Sequence, residues 1–308
     1  MRTYLPFMLL QRIANRLIRV TGYPQEYLCV EADSMRDLIQ WTIDGKPIDP
    51  RSLLFLGYRP LVLGLPEEVV VSEGLLKLEH NGEAIARIEL QELPEKHWPG
   101  IRLFGGTKTW QRFLPPMLEP WDRLRQRLNE RRIGNVTRSM TEYDQLRIAY
   151  AQPREIHLAV LGSPERCNIF PTDLHGALGT DGYIISLRHA NAVCKQLQER
   201  GTVLLCRMAL DSYKEVYRLG ARHNAAWESA ASIRATTSLF GGHAVPDGTR
   251  SAMLLELRDQ HDIGIHRMHR FLVKDRAHFS DGPVLAHAHA APLGWLKRRR
   301  SEPQSFLR

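Results

Sequence analysis

Hydrophobic residues recur along the first half of the chain with two different periods. Over residues 1–22 apolar positions return every three or four residues, which predicts an amphipathic first helix. From residue 52 to residue 93 short apolar or alternating runs predict β-strands, and Asn81-Gly82 between two runs predicts a hairpin, because both residues tolerate positive φ. Residues 118–133 predict a helix with an apolar stripe and a solvated basic face.

The second half of the chain alternates predicted strands with predicted helices. The strands are expected at 156–161, 183–187, 202–208, 253–257 and 263–273, and the helices at 190–200, 213–219 and 225–238. Residues 94–120 are interpreted as irregular. This order favours a mainly β fold of the α+β class, a mostly antiparallel barrel with inserted helices, over a parallel doubly wound sheet. No internal repeat is visible in the sequence.

Charged and polar residues cluster between residues 133 and 150, which places a soft domain boundary there. The prediction is an N-terminal α+β region of unknown role at 1–135, a barrel domain at 136–296 and a basic tail at 297–308. The tail and the arginines of the 118–133 helix are interpreted as solvated surface.

Composition and charge narrow the class of protein. Of the 308 residues, 43% are apolar and 25% are charged, which is ordinary for a globular protein and excludes collagen-like, disordered and small disulfide-stapled classes. The formal charge of +8 favours an anionic partner without choosing among phosphates, nucleic acid and membrane surfaces. A nucleic-acid binder remains a disfavoured alternative, since the basic runs lack interleaved aromatic residues.

The four cysteines form no C-x-x-C pair, so no zinc knuckle or disulfide framework is expected and a reducing cytoplasm suits them. No apolar run is long enough to span a bilayer, so no membrane association is expected. The fingerprints of dinucleotide-binding folds, P-loops, zinc proteases and serine hydrolases are absent. Six histidines lie between residues 261 and 289, but no neighbouring ligands complete a pattern, and no metal site is predicted.

Polar donors cluster at the ends of two predicted strands. The first segment reads Arg166-Cys167-Asn168-Ile169-Phe170-Pro171-Thr172-Asp173-Leu174-His175-Gly176, and the second reads Tyr183-Ile184-Ile185-Ser186-Leu187-Arg188, followed by Asn191. Hydroxyls, a guanidinium and a helix N-terminus are the groups that recognise phosphate. On the residues alone, an alternative stays open in which Ser186 and Asn191 cap a turn and Arg188 pairs with a surface carboxylate.

These two segments resemble the flavin reductase-like family, which binds FMN on a split β-barrel. Asn168 to Leu174 is similar to the family's loop around the isoalloxazine and phosphate, and the Ser–Leu–Arg segment is similar to its phosphate-binding strand. Gly264-Ile265-His266 is similar to a Gly–Asp–His step on a late strand, and Pro283-Val284-Leu285 to the strand that closes the barrel. The resemblance covers residues 150–296.

The resemblance implies a flavin-binding oxidoreductase with FMN or FAD as cofactor and NAD(P)H as the donor of a hydride to flavin N5. It further implies a homodimer with the flavin near the subunit interface, and the scattered cysteines favour a cytoplasmic location. His266 is the predicted catalytic residue, lining the nicotinamide side. The predicted cofactor-binding residues are Asn168, Ile169, Phe170, Pro171, Thr172, Asp173, Ser186, Leu187, Arg188 and Asn191. The alternative is a non-catalytic sensor or interaction module that binds flavin or another anion.

Overall fold

The computed structural model describes residues 21, 23, 25–94, 98–130, 136–220, 238–301 and 306–307. The predicted helices at 1–22 and 225–238 therefore lie almost entirely outside the described residues. The first half contains strands β1 (Tyr27–Glu31), β2 (Gln40–Ile43), β3 (Lys46–Ile48), β4 (Leu54–Tyr58), β5 (Leu61–Pro66), β6 (Leu75–His80), β7 (Glu83–Glu92) and β8 (Ile101–Gln111).

The second half combines strands with the helices of the described residues. The helices are α1 (Glu119–Glu130), α2 (Met140–Ala149), α3 (Ala192–Arg200), α4 (Tyr213–Gly220) and α5 (Ala290–Arg298). The strands are β9 (Arg154–Glu155), β10 (His157–Ser163), β11 (Arg166–Thr172), β12 (His175–Leu178), β13 (Gly182–Arg188), β14 (Thr202–Met208), β15 (Leu239–Phe240), β16 (His243–Ala244), β17 (Thr249–Ile263), β18 (His266–His278), β19 (Leu285–His289) and β20 (Phe306–Leu307).

The strands of the second half form a seven-stranded antiparallel sheet in the order β11-β10-β14-β17-β18-β13-β12. Its two edge strands are consecutive in the chain and are joined only by Asp173 and Leu174. In a flat sheet these edges would lie about 29 Å apart, whereas the short connection spans at most about 11 Å. The sheet must therefore curl into a barrel that is split between β11 and β12, here called the second barrel.

The strands of the first half form another seven-stranded antiparallel sheet, in the order β3-β2-β6-β7-β8-β5-β4. Its edge strands β3 and β4 are also consecutive in the chain, and the connection between them reaches at most about 20 Å. This sheet is curled for the same reason and is called the first barrel. The prediction of a mainly antiparallel α+β split barrel is confirmed, with a second such sheet in place of an undefined N-terminal region.

Three local predictions agree with the structure. The Asn81-Gly82 hairpin joins β6 to β7, and both residues have positive φ, 52° and 77°. The helix predicted at 118–133 is present as α1, and the helix predicted at 190–200 as α3.

A four-stranded sheet in the order β20-β1-β19-β9 combines strands from the beginning and from the end of the described part of the chain. It packs with α2 and α5 against the first barrel, where Trp41, Phe55, Phe104, Leu146 and Trp295 share one buried core. No helix in the described ranges is long and apolar enough to cross a bilayer.

Two stretches predicted as irregular are strands. Within 94–120 the structure has the long strand β8, in which Gly106 allows Leu61 and Gln145 to approach the backbone closely. The predicted flavin loop from Asn168 onward is mostly the edge strand β11, paired along its length with β10. Pro171 suggested a loop, but an edge strand tolerates a residue that lacks an N–H donor.

The prediction for the faces of α1 is wrong. Arg125 is buried, while Trp121 and Leu124 are about half exposed, at 51% and 44%. Asp122, also buried, accepts hydrogen bonds from Arg125 and from Arg147 of α2. Matched charges can be buried together, so this helix turns part of its basic face inward.

Candidate functional site

The site begins with the alternation of side chains along β13. Successive residues of a strand point to opposite faces, so Tyr183, Ile185 and Leu187 face the interior of the second barrel, where they pack with Phe271. Leu187, predicted to contact the cofactor, is therefore a core residue, 7% exposed.

The opposite face of β13 carries Ile184, Ser186 and Arg188, and it is covered by the first barrel. Ile184 packs in one hydrophobic cluster with Leu54, Val62 and other residues of the first barrel. The site thus lies where the outer face of the second barrel meets the first.

Register places the predicted catalytic histidine beside the predicted phosphate ligand. Arg188 is the ladder partner of His266 on β18, and Ser186 is the partner of Met268. Directly opposite residues of an antiparallel pair share a face, so Ser186, Arg188 and His266 form one group. The first barrel adds Tyr58 to this group, with the Arg188 guanidinium 5.8 Å from the centre of the Tyr58 ring.

His266 is sealed between the two barrels. It is 1% exposed, and its ring meets the Tyr58 ring edge-on with 4.4 Å between centroids. The pKa of His266 is lowered to about 4, chiefly by burial and in part by the nearby Arg188 and His189, while Asp173 acts in the opposite direction. At neutral pH the imidazole is therefore uncharged, with one ring nitrogen that donates and one that accepts.

Neither ring nitrogen of His266 has a hydrogen-bond partner among the described residues, and the same is true of the Ser186 hydroxyl. Ser186 is 2% exposed. Buried polar groups nearly always find partners, so two such groups on one face indicate a ligand or ordered water. No signal in the sequence distinguishes these two side chains from satisfied ones, because their isolation depends on what covers them.

Tyr58 interacts electrostatically with Arg188 and is the fourth member of the group. Burial raises the pKa of its hydroxyl, whereas the charge of Arg188, and its hydrogen bond to that hydroxyl, partly offset the rise. Arg138 also stacks over the Tyr58 ring, with its guanidinium carbon 5.1 Å from the centroid. Tyr58 and Arg138 were missed from the sequence, since both lie outside the region of resemblance.

Asp173 occupies the short turn between β11 and β12 and belongs to an adjacent polar cluster. It accepts hydrogen bonds from the Tyr150 hydroxyl and, at 2.7 Å, from Nε2 of His287. Burial raises its pKa, but these two partners outweigh burial and hold the pKa at about 2. Its carboxylate is thus already hydrogen-bonded within the protein rather than offered to a ligand.

The remaining predicted contacts of β11 are distributed over the two faces of that strand. Ile169 lies in one hydrophobic core and Phe170 in another. Thr172 is 6% exposed. Pro171 lies against Gly220 of α4, close to the space that a Cβ there would fill.

Two predicted amide side chains lie near the ends and face of α3. Asn168 donates from Nδ2 to Oε1 of Gln196 at 2.6 Å, which ties β11 to this helix. Asn191 is the N-cap of α3, but its side chain makes no capping hydrogen bond. The Ser186 N–H donates to the carbonyl oxygen of Leu174 at 2.8 Å. The structure therefore brings the turn after β11 against β13.

A second polar cluster lines a cavity of about 190 Å³ beneath β9. Arg207 holds Glu155 with two hydrogen bonds of 2.8 and 2.6 Å, and Nε2 of His157 lies 3.0 Å from the same carboxylate. His175 lies between the Tyr183 hydroxyl and the Glu155 carbonyl, and burial lowers the pKa of this imidazole to about 3. Most of these groups satisfy one another, and of those named only Nδ1 of His157 lacks a hydrogen-bond partner among the described residues. The cluster is therefore interpreted as structural.

Solved structures similar to this chain come from flavin-binding proteins. One is BorF, the flavin reductase component of a bacterial two-component tryptophan halogenase, with 12% identity, a TM-score of 0.42 and coverage of 47% of this chain and 92% of that chain. A second is the NADH:FAD oxidoreductase SgcE6 of Streptomyces globisporus, with 9% identity, a TM-score of 0.42 and coverage of 52% and 96%.

A third is an FMN-binding protein of Thermus thermophilus, with 15% identity, a TM-score of 0.41 and coverage of 57% and 98%. At these identities and scores the likenesses assign no role to any residue of this chain. No protein-family model and no curated protein sequence matches the chain.

Proposed function

We propose that the group Ser186, Arg188 and His266 binds the phosphate-bearing part of a flavin nucleotide, FMN or FAD, in a chain that takes hydride from NAD(P)H. One observation carries the proposal. Two buried polar side chains without partners lie on the same face as a guanidinium, between the two barrels.

The chemistry of this group suits a phosphate ester. A buried donor left unpaired costs about 1–3 kcal/mol, and a phosphate oxygen that accepts from the Ser186 hydroxyl removes that cost. Arg188 contributes a charge-assisted hydrogen bond, the stronger kind. Neutral His266 donates from one ring nitrogen without adding a buried charge. Tyr58 and Arg138 hold the guanidinium side of the group in place.

Several predicted contacts have other uses in the protein. The side chain of Asn168 is bonded to Gln196, and that of Asp173 to Tyr150 and His287. The contacts proposed for residues 168–173, Leu187 and Asn191 therefore remain predictions. The simplest form of such a contact uses the backbone groups of the turn rather than its side chains.

The protein's own part in the proposed reaction is modest. A bound flavin supplies the hydride acceptor, so the chain needs no nucleophile or paired carboxylates. Its residues bind the anionic end, hold the rings and exclude water. The burial of His266 between the barrels serves the last of these. The nicotinamide-side role predicted for its imidazole stays a prediction, and the proposal places that imidazole at the phosphate instead.

A non-catalytic binding module is the second candidate, and one observation favours it. His266 is 1% exposed, so a nicotinamide ring reaches it only if the two barrels separate locally. In that case the chain binds flavin or another anion without turning it over.

One spectroscopic experiment tests both candidates. The purified full chain is titrated with FMN while absorbance is followed between 350 and 500 nm, and NADH or NADPH is then added without oxygen. Saturable binding followed by bleaching supports the oxidoreductase. Binding without bleaching by either nucleotide supports the binding module. Absence of FMN and FAD binding overturns the flavin proposal altogether.

A further inference from the structure

The two barrels have the same topology. If the seven strands of each sheet are lettered a to g in chain order, both sheets read b-a-e-f-g-d-c from edge to edge. The first barrel takes its strands from β2 to β8 and the second from β10 to β14, β17 and β18. Two independent sheets of seven strands rarely agree in order by chance, because many orders satisfy the rules for connections.

The barrels also meet through equivalent surfaces. The turn between strands c and d of the first barrel, Arg59-Pro60, touches the turn between strands f and g of the second. There the Ile265 N–H donates to the Arg59 carbonyl oxygen at 3.1 Å, and a Cβ on Gly264 would lie 2.2 Å from that oxygen.

The reciprocal contact is present on the other side. The c–d turn of the second barrel follows Leu178, and the segment between strands f and g of the first barrel ends at Gly100. A Cβ on Gly100 would lie 3.6 Å from Cδ1 of Leu178. Between the two contacts the c strands meet each other, since a Cβ on Gly176 of β12 would lie 2.2 Å from Cδ2 of Leu54 of β4.

Such reciprocity, in which one patch contacts another and the equivalent patches contact in return, defines the interface of a two-fold dimer. We infer that the first barrel takes the place of a second subunit. It completes the group formed by Ser186, Arg188 and His266, here called the Arg188 group, within the same chain. One chain therefore carries one such site. The identity of the ligand rests on the proposed function, but the arrangement of the barrels does not.

The counterpart of the Arg188 group shows why there is a single site. Pro66 and Ile101 are the ladder pair at the end of strand d and the start of strand g in the first barrel, as Arg188 and His266 are in the second. Two positions earlier along strand d, Gly64 stands where the second barrel has Ser186. The first barrel therefore lacks the hydroxyl, guanidinium and imidazole at equivalent positions.

A cavity of about 550 Å³ lies at this counterpart, between the barrels, and Pro66, Ile101 and Leu178 line it. Its two arginines, Arg258 and Arg270, are each paired with an acidic residue. The counterpart thus keeps the space between the barrels without the phosphate-binding side chains.

The first test is the mass and stoichiometry of the full chain in solution. Light scattering is expected to give one chain of 35.3 kDa at the concentrations used for binding, and FMN titration is expected to give one site per chain. A stable dimer, or two equivalent flavin sites per chain, would overturn the inference. A monomer that binds no flavin would leave the arrangement standing and remove the proposed function instead.

The second test pushes the two barrels apart without replacing Ser186, Arg188 or His266. Gly264→Ala places a methyl group against the Arg59 carbonyl, and we expect at least about tenfold weaker FMN binding and loss of hydrogen-exchange protection at the Ile265 amide. Gly82→Ala is the matched control, because Gly82 also has positive φ but open space around it. Equal binding and protection in both variants would refute completion of the site by the first barrel.

A third variant guards against misfolding of Gly264→Ala. Tyr58→Phe keeps the ring that packs on His266 and removes the hydroxyl bonded to Arg188. Weaker FMN binding with an unchanged unfolding midpoint supports a contribution of the first barrel, and unchanged FMN affinity contradicts it.

Discussion

At the scale of single residues, the candidate site is defined by which polar groups the protein has already satisfied. Asn168 and Asp173 have side-chain partners within the protein, whereas Ser186 and His266 are buried without one in the described part of the chain. Burying a polar group without a hydrogen bond is unfavourable. Of these two pairs, Ser186 and His266 therefore offer a ligand the larger gain in binding free energy.

Arg188→Ala tests the charge at this site. Removing a charge-assisted contact is expected to weaken FMN binding by about 1.5–3 kcal/mol, roughly 10- to 150-fold. Arg267→Ala is the control, because Arg267 is the next residue after His266 and forms a surface ion pair with Asp262. Isothermal titration of both variants makes the comparison, and equal affinities would remove Arg188 from the site.

His266→Gln tests the buried imidazole through its pH dependence. The folded pKa of about 4 lies below the ordinary value of 6.5, so between these two values the unfolded chain binds the proton more readily. The free energy of unfolding should therefore fall as the pH drops from 6.5 to 4, by up to about 1.4 kcal/mol per pH unit for each such histidine. The groups facing the imidazole are Arg188, His189, Asp173 and Tyr58.

Urea unfolding at several pH values measures this slope. The variant His266→Gln should have a shallower slope than the wild type, while some slope remains because the pKa of His175 is lowered as well. His278→Gln is the control, since the side chain of His278 is exposed. An unchanged slope in His266→Gln would show that this histidine titrates normally.

At the scale of secondary-structure elements, the pairing of strands decided the structure at places where short stretches of sequence predicted something else. Residues 168–172 contain an asparagine and a proline and suggested a loop, yet β10 pairs with them as strand β11. The Gly264-Ile265-His266 step, expected within a strand, leaves β17 at Gly264, where φ is +56°, and enters β18 at His266. Both differences follow from sheet registers that a window of a few residues does not contain.

Helix α2 offers a test at this scale, because the residue that ends it, Tyr150, donates to Asp173 beside the site, and its Arg147 binds Asp122 of α1. The Ser139 hydroxyl accepts from the Glu142 N–H, and the Glu142 carboxylate accepts from the Ser139 N–H, which forms a capping box. Ser139→Ala should lower the free energy of unfolding by about 1 kcal/mol. Ser139→Thr should retain most of it in the same urea titration, and equal losses in both would argue against a capping role.

At the scale of the whole molecule, the two barrels share buried surface and should behave as one cooperative unit. Leu54, Leu56 and Leu103 of the first barrel pack with Ile184 and Met268 of the second. Separating the barrels would expose this cluster to water, at a cost proportional to its apolar area.

Urea unfolding followed by two probes tests this cooperativity. Tryptophan fluorescence reports on the first barrel, which contains Trp41, Trp98 and Trp110 of the six tryptophans and packs against Trp295. The reactivity of the four buried thiols, which pack in the cores of the second barrel, reports on the second. We expect the two midpoints to coincide, and Ile184→Ala to lower both together by an amount equivalent to about 2–5 kcal/mol. Two separated transitions would show that the barrels unfold independently.

The topological repeat could not be seen in the sequence, because equivalent positions carry different chemistry. Arg188 and His266 in one barrel correspond to Pro66 and Ile101 in the other. A strand requires alternation and pairing rather than particular side chains. Similar folds therefore tolerate unrelated residues. The predicted homodimer stays a prediction, and the inferred arrangement within one chain is the alternative that light scattering tests.

The sequence by itself determined the class of fold, since period-two alternation, the Asn81-Gly82 turn and the spacing of helices are local properties. It also pointed to β13 as the strand that carries polar donors. Only the tertiary structure decided that Tyr58 meets Arg188 and His266, although Tyr58 and His266 lie more than two hundred residues apart in the chain. Their contact depends on how two curled sheets dock, and docking is a property of whole surfaces that no local pattern encodes.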